Sequence, residues 1–253
     1  MSERPKISLI TITRDEAALI GQCLKSAWFC DEKIIVDSFS TDKTVEIARS
    51  LGAVVEQHEF TNYVKQKQMA LDLATGDWVL LMDADEQATH GLGEEILRTV
   101  SSPAPADGYR IRRILYHLGH YYSHAIYPDT PVRLFRRERG HIRGRDPHDK
   151  VVVEGQVERL GQPILHFSYR DIADHVATIN RFSSRAAMEQ EPNALTPFKM
   201  IANPAWRFFN FYILRGGFLD GGRGLYAAMT AAFYVFLKYA KLYERRLKSR
   251  TGL

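Results

Sequence analysis

The sequence predicts an α/β fold with a mostly parallel sheet, antiparallel additions and a helical C-terminal tail. Three observations lead there. Short β-branched or apolar runs alternate with helix-spaced apolar residues through the first 90 positions. That alternation implies parallel strands joined by right-handed crossovers. The run Trp78-Val79-Leu80-Leu81-Met82 is apolar throughout, as suits a buried strand, and ends in Asp83-Ala84-Asp85. The third observation is the change of pattern after the turn-rich break Ser101-Ser102-Pro103-Ala104-Pro105-Ala106-Asp107-Gly108.

Each element follows from its own residues. Ile7 to Ile12 is a β-branched first strand. Leu19, Ile20, Cys23, Leu24 and Ala27 then recur at helical spacing. Lys33-Ile34-Ile35-Val36 reads as the second strand. Val45, Ala48 and Leu51 mark a helix, with Asp42 as its expected N-cap and Gly52 as its stop. Ala53-Val54-Val55 is a third strand, Lys65 to Thr75 a third helix stopped by Gly76, and Trp78 to Met82 the fourth strand. Beyond the break, Tyr109 to Arg112, Val132 to Phe135 and Val151 to Val157 alternate, which predicts antiparallel strands added to the sheet. Ile172, Val176, Ile179 and Phe182 keep helical spacing from Asp171 to near Pro192.

Composition narrows the class. Of 253 residues, 45% are hydrophobic and 25% charged, a globular profile. Cys23 and Cys30 match no zinc spacing and make no disulfide framework, so a reducing, cytoplasmic setting is the default. Met1 to Lys6 lacks the layout of a secretory signal. Net charge is +4, unevenly spread. From Lys199 onward ten Lys and Arg face only Asp220 and Glu244, a net of +8, leaving −4 for the first 198 residues. The expected division is therefore 1–198 as the α/β domain and 199–253 as a basic, aromatic helical tail. No nucleic-acid motif accompanies the basic residues. Leu225 to Leu237 is apolar but only 13 residues long, against the ~20 a spanning helix needs. Lys238, Lys241, Arg245 and Lys248 then share one helical face. An apolar helix running into a basic stripe fits a segment lying on an anionic membrane surface; a hairpin packed on the protein itself is the alternative.

The candidate chemistry lies at strand ends, where open α/β sheets bind ligands. Thr13-Arg14-Asp15-Glu16, Asp37 and Asp83-Ala84-Asp85 all fall there. The Asp83 and Asp85 carboxylates form a hard oxygen site that suits a divalent cation, and the cation suits a diphosphate. Ser8 to Glu16 contains no glycine, which argues against a dinucleotide oxidoreductase or a sugar-nucleotide-forming enzyme. His117, His120 and His124 have a spacing a zinc helix could use, but Gly119 and the surrounding Tyr116, Tyr121, Tyr122 and Tyr127 favour an aromatic floor for a sugar.

Five motifs in order resemble family 2 glycosyltransferases over about Ile7 to Ser183: Thr11-Ile12-Thr13-Arg14-Asp15-Glu16, Val36-Asp37-Ser38-Phe39-Ser40-Thr41-Asp42, Gln66-Lys67-Gln68, Gly76-Asp77-Trp78-Val79-Leu80 and Asp83-Ala84-Asp85-Glu86. Pro128-Asp129, Arg133-Leu134-Phe135, Pro147-His148-Asp149 and Gly217-Phe218-Leu219-Asp220-Gly221 resemble the branch that adds glucose to the lipopolysaccharide inner core. The resemblance implies a GT-A fold and an inverting hexosyl transfer, with glucose foremost, from a UDP-sugar to a lipid-linked saccharide. The setting it implies is the cytoplasmic face of the bacterial inner membrane, with the protein peripheral to it. A polyprenyl phosphate acceptor, or a nucleotide-binding protein without transfer activity, are the alternatives. It implies Mg²⁺ or Mn²⁺ on Asp85 and Asp83. Thr11, Thr13, Arg14, Glu16, Asp37, Lys67, Asp83 and Arg133 would bind the nucleotide-sugar, Asp37 reading the uracil ring. Asp149 is the candidate base, with Asp146 and Asp129 in reserve, in a position where the family commonly carries Glu. Asp149 could instead serve as an ion-pair partner of Lys150 or of Arg143 and Arg145. Glu86 is either a supporting group or a surface charge. Arg133 suits the donor diphosphate or an anionic acceptor, or is a solvated sheet edge.

Overall fold

The computed structural model describes residues 4–122, 124, 126, 129–145 and 148–251, with side chains except at 145, 148, 250 and 251. The elements in chain order are β1 (Ile7–Thr13), α1 (Ile20–Ser26), β2 (Glu32–Asp37), α2 (Thr44–Ser50), β3 (Val54–Gln57), α3 (Tyr63–Asp72), β4 (Trp78–Leu81), β5 (Glu86–Ala88), α4 (His90–Val100), β6 (Gly108–Arg110), β7 (Arg113–His117), β8 (His120–Tyr121), β9 (Val132–Arg136), β10 (Gly140–Arg145), β11 (His148–Val153), β12 (Val157–Arg159), β13 (Ile164–His166), α5 (Ile172–Met188), α6 (Thr196–Phe209) and α7 (Gly221–Thr251). They form two compact units, residues 1–114 with 129–166, and residues 115–128 with 167–253. Position 198, where the sequence reading ended the first domain, lies inside α6.

The first unit is built on a seven-stranded sheet in the order β12-β6-β9-β4-β1-β2-β3. β4, β1, β2 and β3 are parallel, and β9 runs against both β4 and β6. The strands are apolar on both faces because both faces are covered. Ile7, Leu9, Trp78 and Leu80 pack with Ile20, Leu24, Ala48, Leu92 and Ile96 from α1, α2 and α4. Ile10, Val79 and Leu81 pack on the other side with Ala70 and Leu71 of α3 and with Ile142 and Val151. Those last two belong to the β10–β11 ribbon, a separate antiparallel pair. The run Val151 to Val157 was expected as one added strand; it splits into the end of β11 and the start of β12, and only β12 joins the sheet. The break comes at Glu154, whose N–H bonds to Arg139 O, and at Gly155, whose φ of 127° is closed to ordinary side chains.

The second unit is a helical assembly in which α7 packs along α5 and α6. The glycines at 221, 222 and 224 open α7 rather than breaking it. A Cβ on Gly224 would lie 1.8 Å from Gly217 O, so the close turn there requires glycine. Two members of the basic stripe on α7 are structural. Lys241 Nζ sits 2.7 Å from Asn180 O and Oδ1 and 2.8 Å from Ser183 and Ser184 Oγ. Arg245 Nη1 donates to Ala187 O and Gln190 O, satisfying carbonyls at the end of α5. Lys248 pairs with Glu244 at 2.8 Å. Exposed apolar residues line α6 and the π-helical turn Asn210–Leu214, with Phe198, Ile201, Trp206, Ile213 and Leu214, and also α7, with Leu225, Met229, Phe233 and Phe236. Among the described residues no helix is long and apolar enough to cross a membrane.

Candidate active site

β4 delivers its carboxylates to a buried ion network. Asp83, just past the strand, meets Arg133 Nη2 at 2.9 Å, Lys67 Nζ at 3.2 Å and Arg113 Nη1 at 3.5 Å. Glu86 is fully buried, accepts from Asp83 N at 2.9 Å, and pairs with Arg133 at 2.6 Å and Arg113 at 3.1 Å. Burial pushes the Asp83 carboxyl up, but Arg133, Lys67 and Arg113 outweigh it and hold the group well below the ordinary carboxylate range. Burial raises the Glu86 carboxyl against the pull of Arg133. Glu86 is thus a central brace, not a surface charge.

Lys67 ties this network to a residue 82 positions away. Its Nζ donates to Asp149 Oδ2 at 2.9 Å, and its side chain is nearly buried. Burial favours the neutral amine, yet Asp83 and Asp149 together raise the Lys67 ammonium above its ordinary value. Asp149 reaches the site because β11 pairs with β10, and both pack against α3. Among the described side chains its partner is Lys67 rather than Lys150 or Arg143, and the side chain of Arg145 lies outside the described residues.

The other expected residues are placed as follows. Arg133 is buried and pairs with two carboxylates, so it is an internal counter-ion here and not a solvated edge. Asp37 is fully buried and accepts from Ser40 N at 2.9 Å, from Ser40 Oγ and from Gln57 Nε2 at 3.1 Å. These bonds tie the end of β2 to the loop that follows it and to β3. Thr11 and Thr13 are buried on β1, and neither hydroxyl has a hydrogen-bond partner among the described residues. Arg14 is exposed, 3.9 Å from Asp15. Glu16 starts the turn into α1, its N–H bonded to Thr44 Oγ1 at 2.8 Å. Asp129 is held in a two-point fork by Arg113, at 2.9 and 2.7 Å. Asp146, Pro147, Pro128 and Tyr127 lie outside the described residues, as does the His148 side chain.

Asp85 stands apart from the cations. Its Oδ2 is 3.1 Å from His166 Nε2. β5 and β13 pair antiparallel with His166 opposite Glu86, which brings the imidazole to the carboxylates. Among the described residues no three His, Cys, Asp or Glu side chains converge to hold a metal ion by themselves. Asp85 and His166 nevertheless supply a carboxylate oxygen and an imidazole nitrogen at one point, a donor pair that fits a divalent cation whose other positions a ligand completes. Asp83 is engaged by three cations, and His166 adds a second donor beside Asp85, the other residue of the metal pair expected from the sequence. His166 and Arg113 escaped sequence reasoning. The available signal for His166 was a histidine closing the apolar run Ile164-Leu165, in a strand too short to stand out.

The tyrosines and histidines of the second unit form two clusters. His117 Nε2 is buried without a hydrogen-bond partner among the described residues, its ring edge-on to Tyr169 and His175, and His175 Nδ1 meets Tyr226 Oη at 2.8 Å. Tyr122 is buried, while Tyr116 packs on Tyr121 and Phe167. His120 and His124 both face Asp220, at 3.3 and 3.1 Å.

Comparison with known proteins agrees with this architecture. An uncharacterized glycosyltransferase of Rickettsia felis is 33% identical over 260 residues, 97% of this chain and 92% of that protein. The lipopolysaccharide core biosynthesis glycosyltransferase LpsC of Rhizobium meliloti is 31% identical over 259 residues, 98% of this chain and 96% of that protein. The fold is shared with the mannosyltransferase PcManGT of Pyrobaculum calidifontis, solved with GDP-Man and Mn²⁺, at a TM-score of 0.57 and 17% identity over 96% of this chain and 88% of that one. It is also shared with S. aureus TarS 1-349, at 0.51 and 14% over 98% and 92%. The model of Glycosyl transferase family 2 matches residues 8–154, which hold the parallel strands, the Asp83 network and Asp149, and the chain belongs to that family.

Proposed function

We propose that this glycosyltransferase moves a hexose, glucose foremost, from a UDP-sugar to a lipid-linked saccharide such as the lipopolysaccharide inner core, with inversion at the anomeric carbon. The observation that carries the reading is the Lys67 bridge, which holds Asp149 beside the Asp83 carboxylate. In the reaction the acceptor hydroxyl attacks the anomeric carbon as the bond to the diphosphate breaks. The hydroxyl proton passes to the Asp149 carboxylate, and UDP leaves. A base so placed contributes typically 10²–10⁴-fold. Asp85 and His166 would hold Mg²⁺ or Mn²⁺, which offsets the charge growing on the leaving diphosphate when bound. The name of LpsC supports the lipopolysaccharide core as the acceptor class. The GDP-Man and Mn²⁺ seen in PcManGT are in keeping with a nucleotide-sugar donor and a divalent ion.

A peripheral place on the inner face of the inner membrane fits the same acceptor. Its support is the exposed apolar face of α6, where Phe198, Ile201 and Trp206 stand beside Lys199 and Arg207. Apolar groups next to cations suit an anionic lipid interface.

Asp149→Asn is the test. The variant should retain UDP affinity and lose kcat by about 10²–10⁴-fold. Loss of UDP affinity together with turnover would make Asp149 a structural partner of Lys67 and remove it as the base.

A further inference from the structure

The loop after β2 presents an aromatic ring in a conformation that aromatic residues seldom adopt. Phe39 has φ of 54°, the left-handed region, and its side chain is 52% exposed. Bulky residues persist there only when their surroundings over-determine the backbone. Here they do. On one flank, Ser38 N donates to Thr13 O at 2.9 Å, and Ser38 Oγ accepts from buried Gln66 Nε2 at 2.9 Å. On the other, Ser40 N donates to Asp37 Oδ2 at 2.9 Å, and Ser40 Oγ accepts from Asp15 N at 2.8 Å. Thr41 N adds a bond to Asp15 Oδ1 at 2.7 Å. The chain is pinned on both sides of a ring that packs into no core.

The position of the ring indicates what would cover it. In the strand order β4-β1-β2, the loop of Phe39 and the loop of Asp83 and Asp85 are separated by β1 alone. Two strand spacings are about 10 Å, a separation that a ribose spans between a base and its diphosphate. Asp37, the expected base reader, is fully buried and accepts from Ser40 N, Ser40 Oγ and Gln57 Nε2. Phe39, two residues on, adds an exposed apolar face to this end of the rim. We infer that Phe39 is the platform on which the donor's nucleobase stacks, an affinity-setting residue held ready by the strained loop. The inference rests on the nucleotide-sugar reading above.

The experiment is calorimetric titration of wild type, Phe39→Ala, Phe39→Gly and Phe39→Trp with UDP and GDP in the presence of Mn²⁺, with pyrophosphate as the base-free probe. Removing a stacking ring costs between about five- and a hundredfold in affinity. Ala and Gly should therefore both weaken the nucleotide that wild type prefers by that factor and leave pyrophosphate unchanged. Trp should stay near wild type. Glycine adopts positive φ freely, so Phe39→Gly should unfold no earlier than wild type on heating. If Phe39→Gly loses thermal stability along with affinity, the ring is structural and the inference falls. Nucleotide affinity unchanged in both Ala and Gly also overturns it, while leaving the transferase reading intact. A wild type that binds neither nucleotide overturns the donor reading itself.

Discussion

Replacing Arg133 by Met tests whether the buried ion network holds the fold together. Arg133 is 4% exposed and its Nη2 serves both Asp83 and Glu86. Methionine keeps much of the length and removes the charge. Glu86, with no exposed surface, would then rely on Arg113 at 3.1 Å, and Asp83 on Lys67 at 3.2 Å. Breaking a buried pair from one side costs about 3–5 kcal/mol, because the remaining carboxylate is left uncompensated. The retained cations put the expectation at the lower end, about 3 kcal/mol. For a chain of this size that is a fall in Tm of about 6–12 °C. Urea unfolding followed by circular dichroism measures it. Asp129→Asn, which touches the half-exposed end of the Arg113 fork, should cost about 1 kcal/mol or less. Adding Glu86→Gln to Arg133→Met should recover part of the loss, a coupling of at least about 0.5 kcal/mol in the double-mutant cycle. An Arg133→Met variant within about 1 kcal/mol of wild type, or strict additivity, would refute the claim that this arginine neutralises buried carboxylates.

Three further outcomes are expected. His166→Ala and Asp85→Ala should each weaken Mn²⁺ binding, read by calorimetry in the presence of UDP, and excess EDTA should abolish transfer by wild type; full activity in EDTA would remove the ion from the mechanism. Burial, with His117 adding to it, depresses the His175 imidazole from 6.5 to about 4. The unfolded chain therefore binds more protons between those values, and stability falls as pH drops from 6.5 toward 4; His175→Gln should lose that part of the decline in urea titrations, and an unchanged profile would refute the assignment. Ile201→Ser with Trp206→Ser on α6 should reduce sedimentation with anionic vesicles by at least about tenfold, whereas Lys238→Gln on α7 should change it little. The opposite ranking would return the lipid contact to the basic stripe.

Much of the first unit was legible because its signals are local. β1, β2 and β4 announce themselves by apolar runs, and Asp83 and Asp85 stand out because carboxylates interrupt such a run at its end. Asp37 was visible for the same reason, but its hydrogen bond from Gln57, on the next strand over, was not. Arg133 could not be assigned from alternation alone. Facing one side of a strand does not say whether two carboxylates wait there. The Lys67–Asp149 contact and the Asp85–His166 contact join residues about eighty positions apart, and only the pairings of β10 with β11 and of β5 with β13 create them. In the tail, periodicity gave α7 its helix but not its neighbour. Two cations of the stripe expected to face lipid, Lys241 and Arg245, are engaged by carbonyls and hydroxyls of α5 and its end.

The two-part division also sets an order of assembly during synthesis. Everything the catalytic sheet needs has been made once His166 emerges from the ribosome, with residues 115–128 carried as an excursion from it. The helical half must wait for Arg245, because the carbonyls closing α5 have their donor only there. A nascent chain stalled near residue 200 would thus hold a completed sheet while α5 still lacked the α7 side chains that close its end.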